Sequence, residues 1–105
     1  MSNDLVVLSA RFHNDMVGSY HLLSQRYGYR ATYFLQMVEE HGGVEAARRL
    51  IQSVQPGEGL TRLWELKRLD LSVEAYVSRA EYTPLFTEEE RMIASSRLKA
   101  YGYQW

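Results

Sequence analysis

The chain has 105 residues, 46% of them hydrophobic and 24% charged, with a net charge of −1 and no cysteine. That length buries roughly two-thirds of the surface an unfolded chain exposes, so one core is expected and no covalent staple is needed. The missing cysteine excludes disulfides, thiolate metal sites and cysteine nucleophiles, and the near-zero charge gives no whole-molecule pull toward nucleic acid or an anionic membrane.

Met1 to Asp4 place an acid where a signal peptide carries basic residues, and Leu5-Val6-Val7-Leu8 is too short for its apolar region. No segment approaches the roughly 18 apolar residues of a membrane span. The expected address is the cytoplasm, with no membrane partner. From Phe12, the residues Phe12, Met16, Val17, Tyr20, Leu23 and Tyr27 fall on one helical stripe. Residues 4 to 9 either extend this helix or form a separate short one. Tyr27-Gly28-Tyr29 fits a C-cap with Gly28 left-handed and Tyr29 folded back near Leu23.

Thr32 is the expected N-cap of a second helix that turns Phe34, Leu35, Met37 and Val38 inward until Gly42-Gly43 breaks it. A third helix follows with Glu45 in its first turn and Val44, Ala47, Leu50 and Ile51 on one side. Gln55-Pro56-Gly57-Glu58-Gly59 reads as the clearest loop. Leu60, Leu63, Trp64 and Lys67 then repeat at helical spacing, with Trp64 the largest apolar surface. Leu69 to Ser72 form a tight corner, and Asp70 or Ser72 caps a fifth helix carrying Val73, Tyr76 and Val77, closed by Tyr82-Thr83-Pro84. A strand through Leu69, Leu71 and Val73 would have no partner for its hydrogen bonds. Thr87 and Glu90 form a capping box that opens a last helix, with Met92, Ile93, Leu98 and Tyr101 on its core side and Tyr101-Gly102-Tyr103 as its C-cap. The predicted fold is all-α: a compact bundle of five or six short helices forming a single domain over 1–105.

Little in the pattern points to catalysis. His13 and His21 lie about 12 Å apart by helical rise, and no His-x3-His or His-Glu-x-x-His spacing occurs, so no metal ligands and no cofactor are assigned. Glu39-Glu40 and Glu88-Glu89-Glu90 do not face each other across a cleft. Glu65, Asp70 and Glu74 stand near Arg62, Lys67 and Arg68, which points to salt bridges holding the corner. Gly57-Glu58-Gly59 has neither the strand before it nor the lysine after it that a phosphate loop needs, and no serine sits in a nucleophile elbow. No catalytic residue is assigned.

Binding is the better-supported class. Gly42-Gly43-Val44-Glu45-Ala46-Ala47-Arg48-Arg49-Leu50, followed by Leu60 to Arg68, resembles in part the helix-turn-helix of Fis-type DNA-binding proteins, although Gln52 to Gly59 replaces the tight turn of three or four residues. That resemblance implies Arg48, Arg49, Arg62, Lys67 and Arg68 as a nucleic-acid-binding set. Over residues 11–103 the order Gly28-Tyr29, Thr32, Phe34 to Val38, Gly42-Gly43, Ala46 to Leu50, Leu63-Trp64-Glu65, Arg68 to Glu74, Leu85-Phe86-Thr87, Arg97-Leu98 and Tyr101-Gly102-Tyr103 resembles a widespread small helical domain of bacteria, which occurs as lone proteins or as tails of larger ones. This second resemblance implies a helical fold and a bacterial origin, and assigns no site residues. Eight tyrosines, and ten arginines among twelve basic residues, suit a protein-binding surface. Tyr101, Tyr103 and Trp105 are its expected residues. The expected function is a non-enzymatic interaction module, an adaptor or inhibitor, with another protein as partner; a homodimer through the tail and a nucleic-acid ligand are the competing expectations.

Overall fold

A computed structural model describes residues 2–53 and 58–103, so the Gln55-Pro56-Gly57 part of the expected loop, and Trp105, lie outside the described residues. Helix α1 runs unbroken over Ser2–Tyr27. Residues 4–9 therefore extend the first helix. Phe12, Met16, Ser19 and Leu23, spaced by four, three and four residues, form its buried stripe. Leu5, Val6 and Val7 are exposed. At its end Gly28 takes φ 65°, and the Tyr29 amide turns back to donate to the Leu23 carbonyl at 3.1 Å.

Helix α2 spans Thr32–His41, but Thr32 is its first helical residue rather than its cap. The Leu35 amide donates to the Ala31 carbonyl at 3.0 Å, which closes the first turn one residue earlier than expected. Gly42 sits at φ 85°, ψ 161°, a region essentially reserved for glycine, and joins α2 to α3 (Gly43–Gln52) without a loop. Its neighbour is needed for another reason. A Cβ on Gly43 would lie 2.6 Å from the Cα of His13, so the start of α3 can approach α1 only because no side chain intervenes. His13 completes this joint by accepting the Gly43 amide at Nδ1, 3.0 Å away, which satisfies a helix-start donor.

Helix α4 (Glu58–Glu65) begins at Glu58, so Glu58 and Gly59 belong to a helix and not to the expected loop. It ends in a Schellman turn: the Arg68 amide donates to the Leu63 carbonyl at 2.8 Å and the Lys67 amide to that of Trp64 at 3.0 Å. Lys67 occupies the left-handed position at φ 60°, where glycine is usual. Lys67→Gly is expected to stabilise the fold by up to about 1 kcal/mol, the left-handed penalty less glycine's extra unfolded freedom. Urea melts of the two proteins check this.

Leu69–Leu71 form a 3₁₀ turn that leads into α5 (Val73–Val77). Ser72, not Asp70, caps α5: its hydroxyl accepts the Ala75 amide at 3.1 Å and donates to the Leu69 carbonyl at 2.6 Å. Asp70 is engaged by Arg68 instead. Helix α5 ends at Val77, earlier than expected, and a second 3₁₀ segment, Ala80–Leu85, contains Pro84. The capping box of α6 (Glu88–Ala100) is complete, with Thr87 Oγ1 accepting from Glu90 N at 3.1 Å and Glu90 Oε1 from Thr87 N at 2.9 Å. Of the expected inner face, Ile93, Leu98 and Tyr101 pack against the core and Met92 does not. Met92 is 62% exposed, whereas Glu90, Ala94, Arg97 and Leu98 are buried. Gly102 at φ 77° ends the helix, and the Tyr103 amide reaches the Leu98 carbonyl at 3.0 Å, as the repeated Tyr-Gly-Tyr suggests.

Two apolar clusters hold these elements. The first joins Phe12, Met16, Val38, Ala46, Ala47, Ile51, Val77 and Tyr82, where the Phe12 ring meets Tyr82 and Phe86 edge-on at 4.9 and 5.1 Å. The second joins Leu23, Leu60, Leu63, Leu69, Leu71 and Leu98. The fold is all-helical, with no strand among the described residues. The buried Tyr82 hydroxyl donates to the Asp15 carboxylate, and burial, followed by this bond, raises its pKa. Tyr82→Phe is expected to cost about 1–3 kcal/mol because it removes a hydrogen bond to a charged group. Denaturant melts check the loss.

Candidate functional site

The structure turns two of the expected nucleic-acid set, Arg48 and Arg68, toward the protein itself and leaves Arg49, Arg62 and Lys67 exposed. Arg48 donates from Nη2 to the Leu85 carbonyl at 2.7 Å, and its Nε lies 3.7 Å from the buried Glu90 carboxylate. It ties α3 to the start of α6. Arg49 pairs with Glu45 one turn away at 3.1 Å, and Arg62 with Glu65 at 3.9 Å. Arg68 grips Asp70 with Nε and Nη2, both at 3.0 Å, and donates to the Tyr27 hydroxyl at 2.6 Å. The same bonds hold the Asp70 carboxyl below its ordinary range and the guanidinium above its own. Lys67 alone in the set has no ion-pair partner among the described residues. Helix α3 contributes Ala46, Ala47 and Ile51 to the first core cluster, and α4 contributes Leu60 and Leu63 to the second. The two helices are thus anchored in different parts of the core, unlike the closely docked pair of a helix-turn-helix.

The salt bridges expected at the corner form in part. Arg62–Glu65 and Arg68–Asp70 are present, but Glu74 faces away from both and meets Arg97, whose Nη1 is 3.5 Å from Glu74 Oε2. Arg97 also donates to the Leu50 and Ser53 carbonyls at 3.2 and 2.6 Å, so a buried cation closes the C-terminal end of α3.

Of the expected aromatic surface, Tyr101 and Tyr103 are half-buried against the second cluster and finish the cap of α6. Tyr101 has a second role. Its hydroxyl is hydrogen-bonded to Thr61, and its ring meets that of Trp64 edge-on at 6.0 Å. Trp64 is 51% exposed. The periodicity puts Trp64 in phase with Leu60 and Leu63; in the folded chain those two leucines fill the inner side of α4, and the indole is left at the surface, steadied by Tyr101.

Beside α4 lies a cavity of about 480 Å³, bounded by α1, the start of α2, α4 and α5. Leu23, Leu60, Leu63 and Leu71 supply apolar wall, and Arg30, Thr32 and Tyr33 are exposed wall residues. Sequence reading does not find it, because its residues come from separate elements and none belongs to a motif. No protein-family model, curated protein or solved structure matches the chain. Among the described residues, no group of three or more His, Asp or Glu side chains is placed to hold a metal ion, and no helix is long and apolar enough to cross a membrane.

Proposed function

We propose that the protein is a non-enzymatic interaction module, an adaptor or inhibitor, that binds another protein through the surface built by Trp64, Tyr101 and Arg62. The observation that carries this reading is the half-exposed indole of Trp64 held by a ring that is itself anchored to Thr61. Tryptophan, tyrosine and arginine dominate binding hot spots, and a ring already fixed in place loses little freedom when a partner covers it. Arg62 is only loosely paired with Glu65, and Lys67 has no carboxylate partner among the described residues, so a partner segment with apolar side chains flanked by an acid complements the surface. Nucleic acid is the weaker ligand, since Arg48, Arg49, Arg62 and Arg68 all have acidic partners within the chain.

The test is affinity capture from the source cells, followed by calorimetry on the retained protein. Trp64→Ser is expected to weaken its binding by about thirtyfold, a hot-spot loss of roughly 2 kcal/mol, while the melting temperature stays within about 2 °C because the indole is not in the core. Light scattering of the purified chain shows whether the partner is a second copy. Unchanged affinity in Trp64→Ser, or salt-sensitive binding of oligonucleotides that Arg49→Glu abolishes, overturns the reading.

A further inference from the structure

We propose that the cavity between α1, α4 and α5 takes up the apolar body of a small carboxylate ligand, whose charged end stays at the exposed rim beside Arg30. The site is separate from the protein-binding surface and does not depend on it: α4 presents Leu60 and Leu63 to the cavity, and Trp64 is not part of its wall.

The inner wall decides what kind of body fits. A volume of about 480 Å³ lies within the range of small-molecule sites, which are mostly apolar. Leu23 of α1, Leu60 and Leu63 of α4, and Leu71 of the 3₁₀ turn before α5 converge on it. The buried polar side chains of the wall are already engaged. Ser19 donates to the Leu71 carbonyl at 2.9 Å, and Ser72 donates to Leu69 and accepts from Ala75. Glu74 Oε2 is buried away from the cavity space and lies 3.5 Å from Arg97. None of the three is open to a ligand group, so the part of a ligand that goes inside is apolar, and its removal from water supplies the affinity. Tyr20 and Phe34, both half-buried, offer it aromatic surface.

The rim decides the charge. Arg30 is the one basic residue of the wall among the described residues; it stands exposed and has no ion-pair or hydrogen-bond partner among them. Glu74 is the one acid of that wall, and Arg97 compensates it within the fold. The first turn of α2, which continues the rim through Thr32 and Tyr33, carries no acid and no side-chain cap, so nothing there opposes Arg30. A carboxylate at this rim keeps its contact with water while it gains the guanidinium, whereas an ammonium on the same body meets repulsion.

The experiment is an NMR titration of the full chain at neutral pH and low salt, following the methyl groups of Leu60, Leu63 and Leu71, with those of Val6 and Val7, exposed and outside the wall, as controls. Three probes share one body: 4-phenylbutyrate, 4-phenylbutanol and 4-phenylbutylammonium. The carboxylate is expected to bind about tenfold more tightly than the ammonium, with the alcohol between them, and added salt should narrow that gap. Arg30→Gln, at an exposed position, should level the two ions and leave the alcohol unchanged. Trp64→Ser should alter none of the three affinities, so a failure here is distinct from a failure of the protein-binding surface. No shift of the leucines, shifts as large at Val6 and Val7, equal or tighter binding of the ammonium, or a preference that survives Arg30→Gln overturns the proposal.

Discussion

Gly43→Ala is expected to destabilise the protein by about 3 kcal/mol or more, whereas the same substitution at Gly18 stabilises it by up to about 1 kcal/mol. The two glycines differ in what a methyl group meets. At Gly43 the added carbon would stand 2.6 Å from the His13 Cα, which is backbone and cannot rotate away, so α1 and α3 must separate. Separation also pulls the Gly43 amide from His13 Nδ1, leaving a helix-start donor unpaired. It opens the first core cluster as well, where Ala46 and Ala47 are fully buried close behind the joint. At Gly18, inside α1 and exposed, an added Cβ has nothing within 4 Å, so only the helix preference of alanine remains. Urea melts of both variants should show midpoints moving in opposite directions. Shifts of the same sign would mean that α1 and α3 do not approach as described.

Arg97→Met carries the second large effect, a loss of about 3–5 kcal/mol, because removing one partner of a buried pair leaves the other charge uncompensated. The Glu74 carboxylate loses its counter-ion, and the Leu50 and Ser53 carbonyls at the end of α3 lose a shared donor. A pH dependence identifies the cause. Burial already holds the Glu74 pKa above its ordinary 4.5, so the folded state takes up the proton more readily than the unfolded state. Glu74 therefore contributes a stability that is present below pH 4.5 and is lost as pH rises toward the folded-state value. Arg97 opposes that shift, so in Arg97→Met the folded value rises further and the decline continues to higher pH. The deficit of the variant should grow as pH rises above 4.5, and Glu74→Gln in the same chain should remove most of that growth. A deficit independent of pH would assign the loss to the α3 carbonyls alone.

Signals confined to a few neighbouring residues were legible in the sequence. The Thr87/Glu90 box and the turns at Gly28 and Gly102 follow from local stereochemistry, which tertiary contacts do not alter. What depends on distant contacts was not. On α6 the expected inner face departs only at Met92, but the sequence does not show that Glu90 and Arg97, charged yet buried, join it, their cost offset by Thr87 and Gln52 in one case and by the end of α3 in the other. Periodicity marks Trp64 as the largest apolar surface of its helix but does not show that Leu60 and Leu63 already fill the space beneath it. Gly42-Gly43 reads as a break, and the need for two glycines emerges only when His13, thirty residues earlier, is found against the second. Within the basic set Arg48, Arg49, Arg62, Lys67 and Arg68, sequence proximity does not show Leu85 and Glu90 behind Arg48 or Tyr27 beneath Arg68. Among the expected site residues, Tyr101 and Arg62 join the proposed surface, Tyr101 through its contact with Trp64.

The proposed protein-binding surface is the face of α4 around Trp64. Its most direct test is a photo-crosslinking residue at position 65, beside the indole, with a second at position 49 on α3, each activated in the source cells. One discrete protein adduct from position 65 that Trp64→Ser abolishes, and none from position 49, is the expected result. Nuclease-sensitive adducts, crosslinks from position 49 alone, or an adduct at position 65 that survives Trp64→Ser would contradict it.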